Sequence, residues 1–449
     1  MSDLPPRLVI AGTHSGVGKT TVAVGLMAAF RATGLTVGAA KVGPDFIDPG
    51  YHSLAVGRPS RNLDIWMCGS DAILPLAGKA GAGCDLLVVE GVMGLFDGAG
   101  DGTPSSTADV AVLLDAPVIL VVDASSMSQS VAALVHGFAS FDPRIRIAGV
   151  IVNRVGSPGH ETMLREAVEP LGLPIVGVLR RDDRLAWRDR HLGLIPVAED
   201  PDGVRASLEL LCALITQSCD LAAIHTVARS GSASVTVAAP PPARRIGAAR
   251  IALASGPAFS FMYPDNLEAL VEAGAELIPF DPCIDQELPP GCAALVAGGG
   301  FPEVYAEHLS QNRSLLAHVR QQIDEGLVVW AECGGLLWLC RQLDGAPMVG
   351  AVQTDAVMTQ RLTLGYRTAV SQVDSALGPA GTTVRGHEFH YSVTTPTGDA
   401  LDLVGRHGWG PGGFARRNMF ASYLHTHLAS RPDLAEGFMT SALRLPYGN

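Results

Sequence analysis

The sequence lacks the features that mark several large classes of protein. Only 17% of its residues are charged, the net charge is −12 and there is no long basic run, so binding to nucleic acid is not expected. None of the eight cysteines forms a CxxC pair, which argues against a zinc site and favours a reducing compartment. The N-terminus lacks the pattern of a signal peptide, and no uncharged apolar run approaches the roughly 20 residues of a membrane helix. We therefore expect a cytoplasmic protein with neither nucleic acid nor membrane as partner.

What the sequence does contain is a series of short apolar runs that alternate with helical stretches, across 449 residues of which 47% are hydrophobic. Continuous apolar runs of this length are typical of parallel strands covered on both faces. The predicted strands cover residues 7–11, 36–41, 85–90, 117–123, 146–152, 174–179, 250–254, 276–280, 293–297 and 327–332, and a helix is predicted over 20–31. The pattern predicts the α/β fold class, with two domains of about 200 residues each.

A change in composition separates the two halves. Residues 228–249 read ARSGSASVTVAAPPPARRIGAA, which is rich in alanine, serine, glycine and proline and has no apolar period. Such a composition is typical of a linker, although an ordered surface loop is the alternative. We predict a first domain over residues 1–228, a linker over 229–249 and a second domain over 250–449.

A glycine-rich segment, GTHSGVGKTT at residues 12–21, follows the first strand and precedes a helix. Gly16 and Gly18 allow backbone N–H groups to turn toward phosphate oxygens, Lys19 can reach the β and γ phosphates, and Thr20 can hold Mg²⁺. A glycine-rich helix cap without a ligand is the alternative. The predicted ATP contacts of this loop are Ser15, Gly16, Val17, Gly18, Lys19, Thr20 and Thr21.

Acidic residues follow the next strands and supply candidates for metal and substrate chemistry. Glu90 ends the run DLLVVE, and Lys41, Asp45 and Asp48 lie in KVGPDFID at the end of another strand. We predict that Glu90 and Asp45, with the loop threonine, hold Mg²⁺, and that Lys41, Asp45, Asp48 and Asp97 orient the substrate and the transferred phosphoryl group. Turn formation next to glycine and proline is the alternative for Asp48 and Asp97.

Two further positions bear on how the nucleotide is used. Asn153 ends the run RIAGVIVN and is predicted to contact ATP at the adenine edge, with strand-end turn chemistry as the alternative. The phosphate loop resembles the variant found in the dethiobiotin synthetase and MinD-like group, because Thr13 replaces the first glycine of the common pattern. Partition and septum-site ATPases of that group carry a second lysine where this chain has His14, so a dimerising nucleotide switch is disfavoured.

A second site is predicted around a cysteine. In LVVWAECGGLLW, residues 327–338, a buried strand leads through Cys333 and two glycines into an apolar helix, a turn that exposes the sulfur and favours the thiolate. Gly334 and Gly300, the latter in the GGGFPE run, can each present a backbone N–H to an oxyanion. His425 ends the strand-like run MFASYLH and is the predicted general base. A buried cysteine without catalytic function is the alternative.

The run RGHEFHYS places two histidines and a glutamate close together. A metal site would need His387, Glu388 and His390 on one face, but the spacing i, i+1, i+3 does not achieve this in a strand. An alternating strand with two faces is therefore the favoured interpretation.

The second half resembles class I glutamine amidotransferase domains, which are flavodoxin-like. In most of these domains a glutamate follows the histidine by two positions, whereas this chain has His427 there. The third member of the site is thus left open between a Cys–His dyad and another carboxylate. Across nearly the whole chain, a set of motifs is similar to the corrinoid amidotransferases of the cobyrinic or hydrogenobyrinic acid a,c-diamide synthase family: KVGPDFIDP, EGVMGLFDG, RHLGL, AGGGFPEVYAEHL, AECGG, LGYR, RGHEFHYS and ASYLHTH.

The resemblance implies a specific activity. ATP and Mg²⁺ would activate the a and c carboxylates of a corrinoid polycarboxylate as acyl phosphates, and L-glutamine would supply ammonia through the cysteine site. Alternatives are another tetrapyrrole amidotransferase, such as cobyric acid synthase or Ni-sirohydrochlorin a,c-diamide synthase, or a MinD/ParA-like nucleotide switch. The presence of cobalt in the ring, the order of amidation, the ammonia route and a homodimer are left open.

Overall fold

The computed structural model describes residues 2–100, 102–182, 189–190, 193–194, 196–231, 236–237, 243–406, 408–416 and 418–444. The chain forms two compact units, Met1–Pro240 and Pro241–Asn449. The division between them falls inside the segment 229–249 that the sequence analysis predicted as a linker. Arg229 ends a helix and Ala249 begins a strand, so regular structure extends one residue into each end of that segment, and a two-residue strand, Thr236–Val237, lies within it.

The first unit is a parallel sheet with helices. Its strands are β1 (Ser2–Asp3), β2 (Arg7–Gly12), β3 (Val37–Val42), β4 (Arg61–Leu63), β5 (Leu86–Glu90), β6 (Val118–Asp123), β7 (Ile147–Val155), β8 (Ile175–Arg180), β9 (Asp189–Arg190), β10 (Gly193–Leu194) and β11 (Thr236–Val237). Its helices are α1 (Lys19–Ala32), α2 (Asp48–Val56), α3 (Ile65–Cys68), α4 (Ser70–Gly81), α5 (Thr107–Leu113), α6 (Ser130–Phe141), α7 (Pro158–Val168), α8 (Pro201–Ser218) and α9 (Leu221–Arg229).

The order of strands in the main sheet is β4-β3-β5-β2-β6-β7-β8, and every neighbouring pair is parallel. All side chains of β2, β3 and β5 are buried, which is the reason that these strands read as continuous apolar runs. Helix α1 packs on the sheet and against α8, so closely that a β-carbon on Gly25 would lie 2.4 Å from Ile215. The carboxyl ends of β2, β3 and β5 therefore meet at one edge, where ligands bind in such sheets.

The second unit combines two sheets. Its strands are β12 (Ala249–Ala254), β13 (Ala275–Phe280), β14 (Cys292–Ala297), β15 (Val328–Glu332), β16 (Gln342–Leu343), β17 (Ala346–Pro347), β18 (Asp355–Ser371), β19 (Thr383–Thr395), β20 (Leu401–Gly405), β21 (Gly408–Gly412), β22 (Phe414–Arg416), β23 (Met419–Ser422) and β24 (His425–Thr426). Its helices are α10 (Pro264–Ala273), α11 (Ala306–Gln311), α12 (Arg313–Asp324), α13 (Gly334–Leu339) and α14 (Pro432–Arg444).

The first of these sheets has the order β13-β12-β14-β15-β23-β22 and is parallel except for the edge strand β22. The second is built on the antiparallel pair β18 and β19, with β24 joined to β19. The sequence analysis did not anticipate this second sheet as a whole, because β18 is half-exposed along most of its length and gives no continuous apolar run. The predicted α/β class is confirmed for both units. Among the described residues, no helix combines the length and apolar character needed to cross a membrane.

Candidate active sites

The glycine-rich segment forms a loop between β2 and α1, at the carboxyl edge of the parallel sheet. Gly16 and Gly18 adopt φ angles of 81° and 94°, which are left-handed conformations that favour glycine. Lys19 begins α1 directly after Gly18, and its ammonium group donates to the carbonyl oxygen of His14 at 3.1 Å. A glycine loop with its N–H groups at the start of a long helix is a suitable cradle for phosphate.

Side chains from separate elements converge beside this loop. Thr20 Oγ1 donates to Glu90 Oε1 at 2.6 Å and lies 3.3 Å from Asp48 Oδ2. The ammonium group of Lys41, from β3, bridges the same two carboxylates, at 2.6 Å from Asp48 and 2.9 Å from Glu90. The other oxygen of Glu90 lies 2.6 Å from Nε2 of the fully buried His52. The structure thus brings together four residues that the sequence analysis named, and it adds His52.

His52 could have been found from its spacing. It follows Asp48 by four residues, and α2 covers both, so one face of the helix carries both side chains toward the cluster. The sequence analysis gave no role to the histidine in DPGYH, because a lone histidine carries little signal when its partner is distant in the chain.

The electrostatic balance of this cluster is set by burial and by the two lysines. Burial and the nearby charge of Lys41 lower the pKa of Lys19 to about 8. Asp48 and Glu90 overcome burial and raise the pKa of Lys41. Burial disfavours the charge of Glu90, but Lys41 and His52 hold its pKa below the usual range, whereas burial and Asp45 raise the pKa of Asp48 to about 7. Glu90 is therefore the carboxylate that stays ionised most firmly.

The remaining predicted residues of the first unit surround the loop in different ways. Asp45 uses Oδ1 to accept from the backbone N–H groups of residues 47 and 48, which starts α2. Asp97 is exposed and accepts from the backbone N–H of residue 94. Val17 has a fully buried side chain, so only its backbone can face a ligand, whereas Ser15 is exposed and Thr21 is half-buried.

Asn153 lies against the phosphate loop. Its Nδ2 donates to the carbonyl oxygen of Val17 at 2.8 Å, and its Oδ1 accepts from the backbone N–H of Arg154. A β-carbon on Gly18 would lie 2.3 Å from this Nδ2, so the glycine is required by the close approach as well as by its φ angle. In the structure the amide of Asn153 fixes the loop, and contact with an adenine edge stays a prediction.

In the second unit, Cys333 forms a sharp turn between β15 and α13. Its φ and ψ angles are 48° and −97°, a strained conformation for a residue that has a β-carbon. The turn is held on both sides, because the Cys333 N–H donates to the Ser422 carbonyl at 2.7 Å and the Gly335 N–H donates to the Gly298 carbonyl at 2.9 Å. This is the strand-to-helix elbow that the sequence predicted, but the predicted exposure of the sulfur is wrong, because only 6% of Cys333 is exposed.

Glycines allow the elbow at Cys333 to pack closely against the segment that follows β14. A β-carbon on Gly334 would lie 3.0 Å from the backbone nitrogen of Gly300, so the two predicted oxyanion donors are neighbours. A β-carbon on Gly300 would lie 2.1 Å from the Ala258 carbonyl oxygen, which excludes any larger residue there without movement of the backbone. Two backbone N–H groups beside a thiol can stabilise the tetrahedral intermediate of acyl transfer.

His425 is fully buried beside the thiol, as the sequence analysis predicted for the general base. Burial disfavours its charged form, but the neighbouring Cys333 and Glu332 raise its pKa to about 9. Its Nδ1 lies 3.6 Å from Oε2 of Glu332. The ring of His387 stacks on the ring of His425 with centroids 4.9 Å apart. The hydroxyl oxygen of Tyr263 lies 2.9 Å from Nε2 of His387.

Glu332 and Tyr263 were not named from the sequence, although Glu332 directly precedes the cysteine, and His387 was named only as part of the run RGHEFHYS and not as a neighbour of His425. His427, at the position of the usual glutamate, accepts from the backbone N–H of residue 429 and packs on Tyr263 with ring centroids 4.6 Å apart. The run RGHEFHYS lies in β19, which places His387 and Glu388 on opposite faces, and the described residues contain no group of three His, Cys, Asp or Glu side chains that could hold a metal ion.

The geometry of the two units agrees with comparisons to known proteins. Residues 8–194 match the family model described as the CobQ/CobB/MinD/ParA nucleotide binding domain, and residues 250–433 match the CobB/CobQ-like glutamine amidotransferase domain. Hydrogenobyrinate a,c-diamide synthase of Streptomyces coelicolor is 50% identical, and that of Thermobifida fusca is 48% identical; the alignments cover 97% and 96% of both chains, respectively. Cobyrinate a,c-diamide synthase of a Synechococcus species is 41% identical, over 96% of this chain and 97% of the relative.

These similarities extend over nearly the full length of each protein, and they include both the phosphate loop and the cysteine elbow. The chain therefore belongs to the hydrogenobyrinate/cobyrinate a,c-diamide synthase family, in which a nucleotide-binding domain is joined to a glutamine amidotransferase domain.

Proposed function

We propose that this protein uses ATP and L-glutamine to amidate the a and c side-chain carboxylates of hydrogenobyrinic or cobyrinic acid. The observation that carries the proposal is the 50% identity over 97% of the chain to a hydrogenobyrinate a,c-diamide synthase. The resemblance assigns the corrinoid substrate and the a and c positions; the residues of the two sites support the chemistry. We also place the reaction in the cytoplasm.

The glutaminase reaction would take place in the second unit. The Cys333 thiolate attacks the side-chain amide carbon of glutamine, and the N–H groups of Gly300 and Gly334 stabilise the oxyanion that forms. His425 takes the thiol proton and returns a proton to the leaving nitrogen, which departs as ammonia. Water then cleaves the thioester to release glutamate and restore the thiol.

The amidation would take place in the first unit. A carboxylate is a poor acyl donor, because hydroxide or oxide would have to leave, so its oxygen first attacks the γ phosphorus of ATP and ADP departs. Ammonia attacks the resulting acyl phosphate, the C–O bond to phosphate breaks, and the amide and inorganic phosphate form. Lys19 is positioned to hold the β and γ phosphates, while Lys41 orients Glu90 and Asp48.

The oxygen atoms in this cluster suit a magnesium ion. Hydroxyl and carboxylate oxygens are the ligands that Mg²⁺ prefers, and Thr20 and Glu90 approach one another to 2.6 Å with Asp48 beside them. Bound there with ATP, the ion would neutralise charge on the phosphate oxygens. Asp45, which was predicted from the sequence as a ligand, uses Oδ1 to cap α2, whereas Asp48 lies beside Thr20 and is the better-placed third oxygen donor. The Lys41 ammonium group pairs with both Asp48 and Glu90, so it would have to yield these oxygens to the ion.

Replacement of the thiol tests the division of labour. We expect Cys333→Ala to lower glutamine-dependent amidation by about 1000-fold or more, because no other group can form the thioester. With ammonium salt as nitrogen source the same variant should retain the wild-type rate, measured as diamide product by mass spectrometry. A loss of ammonia-dependent amidation would contradict the assignment.

Replacement of Lys19 tests the proposed phosphate site of the first unit. We expect Lys19→Ala to lower amidation with either nitrogen source by about 100- to 1000-fold, because charge stabilisation on the transferred phosphoryl group is lost. Glutamine hydrolysis without the corrinoid should continue and provides the matched control. Wild-type amidation in this variant would rule out the proposed phosphate site, and parallel assays with the cobalt-containing and metal-free rings would define the preferred substrate.

The alternative of a dimerising nucleotide switch accounts for the first unit alone. It leaves the cysteine elbow and the histidine beside it without a role. ATP-dependent self-association without any consumption of glutamine, measured by sedimentation and a glutamate assay, would favour that alternative. A homodimer of the synthase would show association together with glutamine consumption.

A further inference from the structure

Glu332, the residue before the nucleophile, is a buried carboxylate with a fixed orientation. Its Oε1 accepts from Trp330 Nε1 at 3.1 Å, and from the backbone N–H and the hydroxyl group of Thr426 at 3.2 Å and 2.6 Å. Three donors on one oxygen hold the side chain in a single rotamer. Because a buried charge is costly without polar partners, such a set of contacts indicates that the carboxylate is retained for a purpose.

The second oxygen of this carboxylate faces the histidine of the site. Oε2 of Glu332 lies 3.6 Å from Nδ1 of His425. A β-carbon on Gly299 would lie 2.5 Å from Cε1 and 3.4 Å from Nε2 of the same ring, so the edge of the ring that carries these two atoms faces the glycine segment that borders the elbow. The two ring nitrogens are thus directed to different tasks: Nδ1 toward the carboxylate and Nε2 toward the reacting groups.

Neighbouring candidates for the same task are occupied elsewhere. His427, at the position where related domains carry glutamate, packs on Tyr263 and accepts from the backbone of residue 429. Glu388, a second buried carboxylate in this region, forms an ion pair with Arg367 at 2.8 Å. Glu332 is therefore the carboxylate whose position suits a partner for Nδ1.

We propose that Glu332 is the positioning residue of the glutaminase site, a carboxylate contributed by the strand before the nucleophile instead of by the second position after the histidine. The inference rests on the proposed roles of Cys333 and His425. A proton on Nδ1, the nitrogen that faces Glu332 at 3.6 Å, leaves the lone pair on Nε2. When the S–H bond of Cys333 breaks, its proton forms the N–H bond at Nε2, the electron pair stays on sulfur, and Glu332 stabilises the imidazolium.

The test is the glutaminase activity of Glu332→Gln. An amide can still accept at Oε1 from Trp330 and Thr426, but its NH₂ group would face Nδ1 and favour the tautomer that carries a proton on Nε2, which cannot accept from the thiol. We expect kcat for glutamine hydrolysis to fall by about 100-fold or more, with the KM for glutamine nearly unchanged. Ammonia-dependent amidation should stay at the wild-type level.

The pH profile separates positioning from a structural role. Groups that face His425 include Cys333, Glu332 and the stacked His387, with Glu388 and His390 further away. Wild-type kcat/KM for glutamine should be level up to about pH 9, where His425 loses its proton. In Glu332→Gln one of the two groups that raise the pKa of His425 is uncharged, so the fall in kcat/KM should begin at a lower pH.

Each result decides between the two hypotheses. Wild-type kcat and a wild-type pH profile in Glu332→Gln would overturn the positioning role, while loss of hydrolysis in Cys333→Ala would still support the proposed function. If Glu332→Gln also loses ammonia-dependent amidation, Glu332→Asp decides: its carboxylate is one methylene shorter, so hydrolysis should fall by about tenfold with the level pH profile kept. A wild-type rate in Glu332→Asp would equally overturn the inference.

Discussion

Both sites of this protein contain buried ionisable side chains, but the two sites accommodate them in opposite ways. Beside the phosphate loop, two lysines, two carboxylates and a histidine form a compact cluster in which opposite charges balance each other. Around Cys333 the histidines are mostly kept neutral, since burial lowers the pKa of His390 to about 4 and, with His425 and His427 nearby, that of His387 well below its usual value. The first site is arranged to receive a polyanion, and the second to move a proton.

The backbone shows the same contrast. In the phosphate loop, glycines provide the left-handed conformations. At the elbow, Cys333 itself adopts φ of 48°, and the surrounding glycines allow other backbone segments to approach it closely. Glycines suit a loop that turns its backbone around a ligand, whereas a nucleophile held by the surrounding backbone suits an attack that needs accurate alignment.

The largest change in activity that would test this contrast is expected from a substitution beside the elbow at Cys333. We predict that Gly300→Ala lowers glutamine hydrolysis by about 100- to 1000-fold, because the new β-carbon would collide with the Ala258 carbonyl and displace an oxyanion donor. Ammonia-dependent amidation should be preserved. The matched control is Gly137→Ala in α6, where no atom lies within 4 Å of the new β-carbon; an equal loss of hydrolysis in both variants would contradict the steric explanation.

A second effect, of about tenfold, is expected from pH. The Lys19 ammonium is present below its pKa of about 8 and is lost as the pH rises through that value, so ATP affinity should weaken by up to about tenfold per pH unit above 8. The pKa of His425 is about 9, so the rate of glutamine hydrolysis should stay constant up to pH 9 and fall above it, where the imidazolium loses its proton. Calorimetric ATP titrations and a glutaminase assay across pH 6.5–9.5 would measure both limits.

Lys19→Arg provides the control for the pH comparison, because a guanidinium stays protonated throughout this range. Its ATP affinity should be nearly independent of pH, even if the affinity itself is lower. A decline above pH 8 that persists in the arginine variant would mean that another group governs ATP binding.

The smallest effect concerns stability. His52→Ala removes a partner of the buried Glu90 carboxylate, and Asn266→Ala removes the contacts that Asn266 makes to residues 426 and 428 beside His425. Each loss should lower the free energy of unfolding of its own unit by about 1 to 3 kcal/mol. Denaturant titrations that follow each activity would show the change, and an unchanged midpoint for both variants would contradict the assigned contacts.

The parts of each site that could be predicted from the sequence are those that follow one another along the chain. Lys19, Thr20 and Glu90 follow buried strands of a single parallel sheet, and the carboxyl ends of such strands share one edge. Their convergence therefore follows from the apolar pattern. Cys333 was predicted for the same reason, because strand, glycines and helix are consecutive.

Partners that meet across sheets could not be predicted in this way. His387 reaches His425 only because β19 pairs with β24, in a sheet whose strands alternate between exposed and buried side chains. Glu332 reads from the sequence as the last residue of a strand, and nothing local indicates that its carboxylate turns back toward residue 425. Long-range register, set by turns and bulges such as the one between Met358 and Thr363, decides these contacts.

The burial of Cys333 has a consequence for covalent inhibitors. Only 6% of the residue is exposed, since glycine-backed segments close around the sulfur. An electrophile must therefore be slim as well as reactive: a small alkylating agent or a glutamine analogue with a diazo or chloroketone group has the size of the natural amide, whereas a bulky maleimide does not. Selective labelling of this thiol among the eight cysteines would thus be governed by the shape of the reagent more than by its reactivity.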